Sequence, residues 1–208
     1  MKPAGDFGIL PRDRQSETAM TKKAYVNGEE IGQGAVTFEL SRLVKFYTSH
    51  GIPEEDVKKS LPELEEKALE QAIGAKLLLM RAAQLDLPVT TADVDAEVAK
   101  VISQIGGEEN YRRALAAQNL TEADFRRELE KGARVNKLVE QACAGVPDPT
   151  EEEVAAFYDA QRRAGKTGDA TLVDLHDQIR ELLRHDARGR AMESFVAELR
   201  ANATVEYR

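Results

Sequence analysis

The residues whose types could do chemistry are few and scattered. Gly165-Lys166-Thr167 matches the end of a phosphate-binding loop. That motif places another glycine five residues before the one that precedes the lysine, at a junction between a strand and a helix. Position 160 holds Ala160, and the segment follows a helical pattern, so it reads as an ordinary connector. His50, His176 and His185 share no ligand spacing with one another or with Cys143. A metal site needs converging ligands, so the histidines read as surface residues. Cys143 lies between Ala142 and Ala144 at the end of a helical stretch and reads as a small buried or half-buried thiol. A nucleophilic role would need a histidine placed beside it. Glu151-Glu152-Glu153 occupy adjacent positions, which point in different directions around a helix; this is a solvated helix start rather than a metal cage. The reading is a chain with no catalytic residue, no metal and no cofactor, and not an enzyme.

The elements around these residues are mostly helical. Ser60–Pro88 forms the spine, with Leu69, Ile73, Leu77 and Met80 repeating every three or four residues. Ser60, Pro62 and Glu63 have the spacing of a capping box, in which the Ser60 hydroxyl and the Glu63 carboxylate each satisfy a free amide. From Leu77 to Met80 the helix is apolar all round, which predicts cover on several sides. Before the spine, Asn27-Gly28 inside AYVNGEEI predicts a hairpin with a type I′ turn. Residues 34–50 predict a helix with Val36, Leu40, Leu43, Val44 and Tyr47 on one side and Gly51 as its left-handed cap; Phe38 and Phe46 fall off that stripe. Residues 52–59 read as a polar connector. After the spine, Thr90, Thr121, Thr150 and Thr171 each stand three residues before an acid and mark helix starts. The last helix carries Leu172, Leu175, Ile179, Leu183, Phe195 and Leu199, with a polar middle around Gly189 where it is expected to bend or be exposed. Thr204-Val205-Glu206-Tyr207 alternates as a short strand. A strand needs a partner for its backbone groups, and the only other strand signal is residues 24–31, so the two ends of the chain are expected to meet in one small sheet.

Composition narrows the class. Apolar residues make up 42% and charged residues 32%, as in a folded helical protein and not a disordered one. A formal charge of −8 argues against nucleic acid or an anionic membrane as partner. The absence of Trp removes one of the usual base-stacking side chains. A single cysteine excludes an internal disulfide. No apolar run approaches the roughly 20 residues that span a bilayer, so no membrane insertion is expected. Residues 1–20 have the mixed, Gly- and Pro-containing composition of a disordered tail. They lack the apolar core of a secretory signal, which predicts a cytoplasmic location for the chain as written; removal of an export signal would leave the same sequence on a periplasmic or extracytoplasmic protein.

Four stretches carry a resemblance: AYVNGEEI; ALEQAIGAKLLLMRAAQLDLPVTTADVDAEV; YRRALAAQNLTEADFRRELEKGARVNKLVE; and PTEEEVAAFYDAQ. In this order they resemble the chaperone module of the SurA family of chaperones linked to peptidyl-prolyl isomerases, with relatives such as PpiD and PrsA. The C-terminal LVDLHDQIRELLRHDARGRAMESFVAELRANATVEY is similar to the segment that follows the isomerase domain in that family. The resemblance implies a mainly α fold in which the C-terminal helix and strand return to complete an N-terminal helical core. The expected layout is one domain over 21–208: a core over 21–163, a loop over 164–170, and the completing helix and strand over 171–208. Relatives carry a parvulin-type isomerase where only 164–170 stand here, and no parvulin active-site pattern is present. The family implies an ATP-independent chaperone without prolyl isomerase activity, holding apolar segments of unfolded or partly folded proteins. Phe38, Leu43, Phe46, Tyr111 and Phe125 are the candidate client-binding residues, set against ordinary core packing for each. The competing expectation is a dedicated assembly factor or structural helical module with one folded partner. A terminal helix and strand joined through a short loop also permit a domain-swapped homodimer.

Overall fold

A computed structural model describes residues 22–208; the tail expected over 1–20 lies outside the described residues. The elements run β1 (Ala24–Val26), β2 (Glu29–Glu30), α1 (Gln33–Ser49), α2 (Glu54–Lys59), α3 (Leu61–Gln84), α4 (Thr91–Gln104), α5 (Glu108–Ala117), α6 (Glu122–Cys143), α7 (Glu151–Arg163), α8 (Leu172–Ala201) and β3 (Val205–Tyr207). The fold is mainly α with one small sheet. Where the sequence reading draws one domain over 21–208, the chain is described in two compact units: residues up to Leu138 together with Leu199–Arg208, and Val139–Glu198.

The first unit is built on the sheet and α3. β1 is the central strand, antiparallel to β2 on one side and to β3 on the other. Asn27 (φ 51°) and Gly28 (φ 84°) both take the left-handed conformation that a type I′ turn requires. The returning strand aligns Ala24 with Tyr207 and Val26 with Val205. Beyond these pairs, Lys23 and Arg208 exchange two backbone hydrogen bonds of 2.8 Å. The Asn27 amide donates to the Thr204 carbonyl, and the Thr204 amide donates back to Asn27 Oδ1, both at 2.8 Å. Ala24 and Val26 are buried with Leu69, Ile73 and Leu77 of α3 and Val36 of α1, while Leu40, Leu43, Leu199 and Val205 pack around them half-buried. Tyr207 is 46% exposed rather than packed into this core. Its hydroxyl instead donates to Glu70 at 2.5 Å and accepts from Arg200 at 2.6 Å. Burial pushes the Glu70 carboxyl up, but hydrogen bonds from the Tyr207 hydroxyl and from Arg200, at 2.5 Å, outweigh it and hold it below its ordinary value.

Three further expectations around α3 are corrected. Residues 54–59 of the expected connector form α2, and Ser60 is its C-cap. The Ser60 amide therefore already donates to Asp56 and Val57 carbonyls, and its backbone (φ −89°, ψ 3°) lacks the extended N-cap conformation. No capping box forms, because the amide that Glu63 was to satisfy is occupied. Leu79 is 42% exposed, so the apolar run is not covered all round; it stands two residues from Leu77, on a different side of the helix.

The remaining helix starts follow their signals. Thr90 and Thr150 form complete capping boxes with Asp93 and Glu153. Thr121 and Thr171 exchange the same pair of bonds with Asp124 and Asp174. The Asp93 carboxyl is held down at about 2, first by a hydrogen bond from Lys137 and then by the Thr90 amide and hydroxyl. A second cluster of the first unit joins Val94 and Val98 of α4 to Tyr111 of α5, with Phe125 and Leu129 of α6 half-buried against them.

The second unit pairs α7 with α8. Val154, Tyr158 and Ile179 are buried at their contact, flanked by Phe157, Leu175 and Leu183. The Tyr158 hydroxyl donates to the Ala170 carbonyl at 2.9 Å and holds the link between the helices. α8 remains helical through Gly189 from Leu172 to Ala201, since one helical glycine costs only about 1 kcal/mol relative to alanine.

Candidate functional site

α1 has a core-facing side and an exposed one. Val36 is buried, and Leu40 and Leu43 pack against the sheet and α3. Phe38, Arg42 and Phe46 are spaced by four residues and line the outer side. Phe38 is 48% and Phe46 55% exposed, unusual for rings of this size. The two lie eight residues apart, or about 12 Å along the axis. Arg42 stands between them, with its guanidinium 5.9 Å from the Phe38 ring centre. It also pairs at 3.0 Å with Glu39, which is buried although charged. Phe46 leans on His50 with ring centres 4.1 Å apart and meets Tyr47 edge-on at 5.7 Å. Ile52, just past the Gly51 turn, is also exposed. The surface is thus apolar and aromatic with one cation, able to cover apolar side chains and stack against rings.

The five candidate residues do not form one surface. Phe38 and Phe46 share the outer face of α1. Leu43 is half-buried against the core. Tyr111 is 3% exposed. The reason is the face of α5 that carries it: Tyr111 and Leu115 are four residues apart and both turn toward α4. Phe125 meets Tyr111 edge-on, ring centres 5.6 Å apart. Together they line a pocket of about 180 Å³ with Val101, Ile105, Leu115 and Leu120. Burial pushes the Tyr111 phenol up, with Glu122 acting in the same direction, so it is a protonated donor near neutral pH.

The second unit holds two open clefts not foreseen from the sequence. One, of about 720 Å³, is lined by Val146, Pro147, Phe157, Leu183, Ala187 and Arg190 among others. The other, of about 310 Å³, shares Phe157 and reaches Lys166 and Thr167. Pro147 and Pro149, in the link before α7, were the available signal. Glu151 is bound to Arg180 and, at 2.8 Å, to His176. Cys143 is buried, with its thiol 3.8 Å from the Arg188 carbonyl. Among the described residues, no group of three His, Cys, Asp or Glu side chains is placed to hold a metal ion. No described helix is long and apolar enough to cross a membrane.

Comparison with known proteins adds one finding. The SurA-like N-terminal domain family matches residues 7–139. No curated protein and no solved structure matches. The matched span is well over half of the chain and takes in the sheet's first two strands, α1 to α5 and most of α6. On that span, the chain belongs to the SurA-like N-terminal domain family.

Proposed function

We propose that the protein is an ATP-independent chaperone that holds apolar segments of unfolded or immature proteins and does no chemistry on them. Family membership suggests a chaperone-type role. The observation that carries the finer reading is the exposed Phe38–Arg42–Phe46 line on α1. Aromatic side chains there offer contact area to many sequences without demanding a particular hydrogen-bond pattern. Ordering an unfolded client opposes binding, so contact is weak and reversible. A net charge of −8 keeps loaded complexes soluble. The reading includes no prolyl isomerase activity. Its support is the short link between α7, ending at Arg163, and α8, starting at Leu172, where relatives are expected to carry that domain.

The test is light scattering from a chemically unfolded model protein diluted into buffer without nucleotide. Near-stoichiometric chain suppresses aggregation, and Phe38→Ser with Phe46→Ser weakens suppression while the circular dichroism spectrum is kept. Unchanged aggregation, with a single folded partner co-purifying, favours the dedicated assembly factor instead.

A further inference from the structure

Phe38 and Phe46 on the outer side of α1, and Ile52 just beyond it, are all exposed. Apolar groups gathered on one face mark a docking surface. Lys45 is on the same side, seven residues from Phe38 and three from Arg42. Its ammonium has no partner among the described residues. One apolar stretch of the chain lies outside the described residues: Phe7-Gly8-Ile9-Leu10, with Asp6 before it and Pro11 after it.

The place where the chain enters β1 decides what that stretch can reach. The Ile31 amide donates to the Ala24 carbonyl at 2.8 Å, and Lys23 pairs with Glu30 at 2.9 Å. Gly32 is the N-cap of α1. The chain therefore enters the sheet beside the first turn of α1. From Gly32, Phe38 lies about 9 Å and Phe46 about 21 Å along the helix axis. Residues 11–21 separate Leu10 from Lys22, and that length spans up to about 40 Å. It is enough to pass along α1 and around it. An extended Phe7–Leu10 covers about 10 Å, close to the spacing of the two rings.

We infer that Phe7–Leu10 docks on the outer side of α1 and covers it when no other chain is bound. Leu10 meets Phe38, Phe7 meets Phe46, and Asp6 faces Lys45, so the segment runs antiparallel to the helix. As a regulator of client binding the inference rests on the holding function proposed above; as a contact within the chain it stands on reach and complementarity alone. A short tether gives an effective concentration on the order of mM. A contact with a Kd of about 1 mM is then occupied about half the time, so the segment shields the face and yields to a client.

The experiment uses the whole chain with the photo-crosslinker p-benzoyl-phenylalanine in place of Phe7. Irradiation at low micromolar concentration without client is expected to join position 7 to the stretch Val44–Ile52, mapped by mass spectrometry, with a yield that dilution leaves unchanged. In the second arm, Phe7→Ser, Ile9→Ser and Leu10→Ser are combined, and the triple variant, its folding checked by circular dichroism, binds a labelled, permanently unfolded polypeptide roughly two- to fivefold more tightly than the parent. Absence of a crosslink to α1 overturns the inference whether or not the triple variant folds. Crosslinks that only join two chains overturn it too, and give the face to a second copy. Equal, measurable affinity of parent and folded triple variant likewise overturns it and leaves the holding function standing. An internal crosslink in a parent chain, with no polypeptide bound by either protein, overturns the holding function and leaves the contact standing.

Discussion

Deleting Ala203–Arg208 removes β3 and tests whether the two chain ends support each other. Besides the β1–β3 ladder itself and the exposed Tyr207 hydroxyl bonds to Glu70 and Arg200, four hydrogen bonds of 2.8 Å vanish: two between Lys23 and Arg208 and two between Asn27 and Thr204. At about 0.5–1.5 kcal/mol net for each bond, and with most of them at the surface, they contribute about 2–4 kcal/mol. Val205 is half-buried against the α3 core, so its loss adds about 1 kcal/mol. Tyr207 adds little through burial because it is 46% exposed. The deletion also uncovers one side of β1, whose Ala24 and Val26 are 1% and 0% exposed. The sum is about 3–5 kcal/mol, against a typical domain stability of about 5–15 kcal/mol. At about 2–8 °C per kcal/mol, the first unit's transition falls by about 6 °C or more. Scanning calorimetry and far-UV circular dichroism of the intact and shortened chains read it directly. A transition within about 2 °C of the parent refutes the reasoning, because it means that the β1–β3 pairing seen here contributes nothing.

Three smaller predictions concern other parts of the chain. Thr150→Ala removes the cap at the start of α7 and destabilises the second unit by about 1 kcal/mol, read as a lower denaturant midpoint with an unchanged slope. Asp93, at about 2 when folded against an ordinary 3.8, binds its proton less readily in the folded state. Its contribution is therefore fully present above the unfolded value and lost as pH falls from about 4 toward 2; Asp93→Asn flattens the stability profile in that window, measured by urea titrations at several pH values. A protease-coupled assay on a Xaa-Pro peptide shows no acceleration above background, and catalysis abolished by a mutation in this chain would remove the claim.

Much of the fold could be read from local signals. Thr90 and Thr150 predicted their helices because a capping box is a contact within four residues. The sheet followed from a simple necessity: the alternating Val205–Tyr207 strand needed a partner, and only 24–31 offered one. Ser60 misled because α2 is too short to show a periodicity, yet it ends on Ser60 and takes up its amide. Tyr111 and Phe46 look alike in sequence, each an aromatic beside one basic residue, Arg112 and Lys45. What separates them is which side of the helix meets a neighbour, and that is a property of packing. The clefts beside Phe157 and the pocket at Tyr111 are shapes enclosed by several elements, with no signature in any one of them.

The most direct measurement is fluorescence anisotropy of a labelled, permanently unfolded, apolar-rich polypeptide, titrated without nucleotide with the parent chain and with the Phe38→Ser, Phe46→Ser double variant. Covering the exposed halves of two rings is worth about 1 kcal/mol each, so the account predicts saturable binding that weakens about tenfold or more in the double variant while its melting transition is kept. Equal affinity for the two proteins, or no binding by the parent, would contradict it.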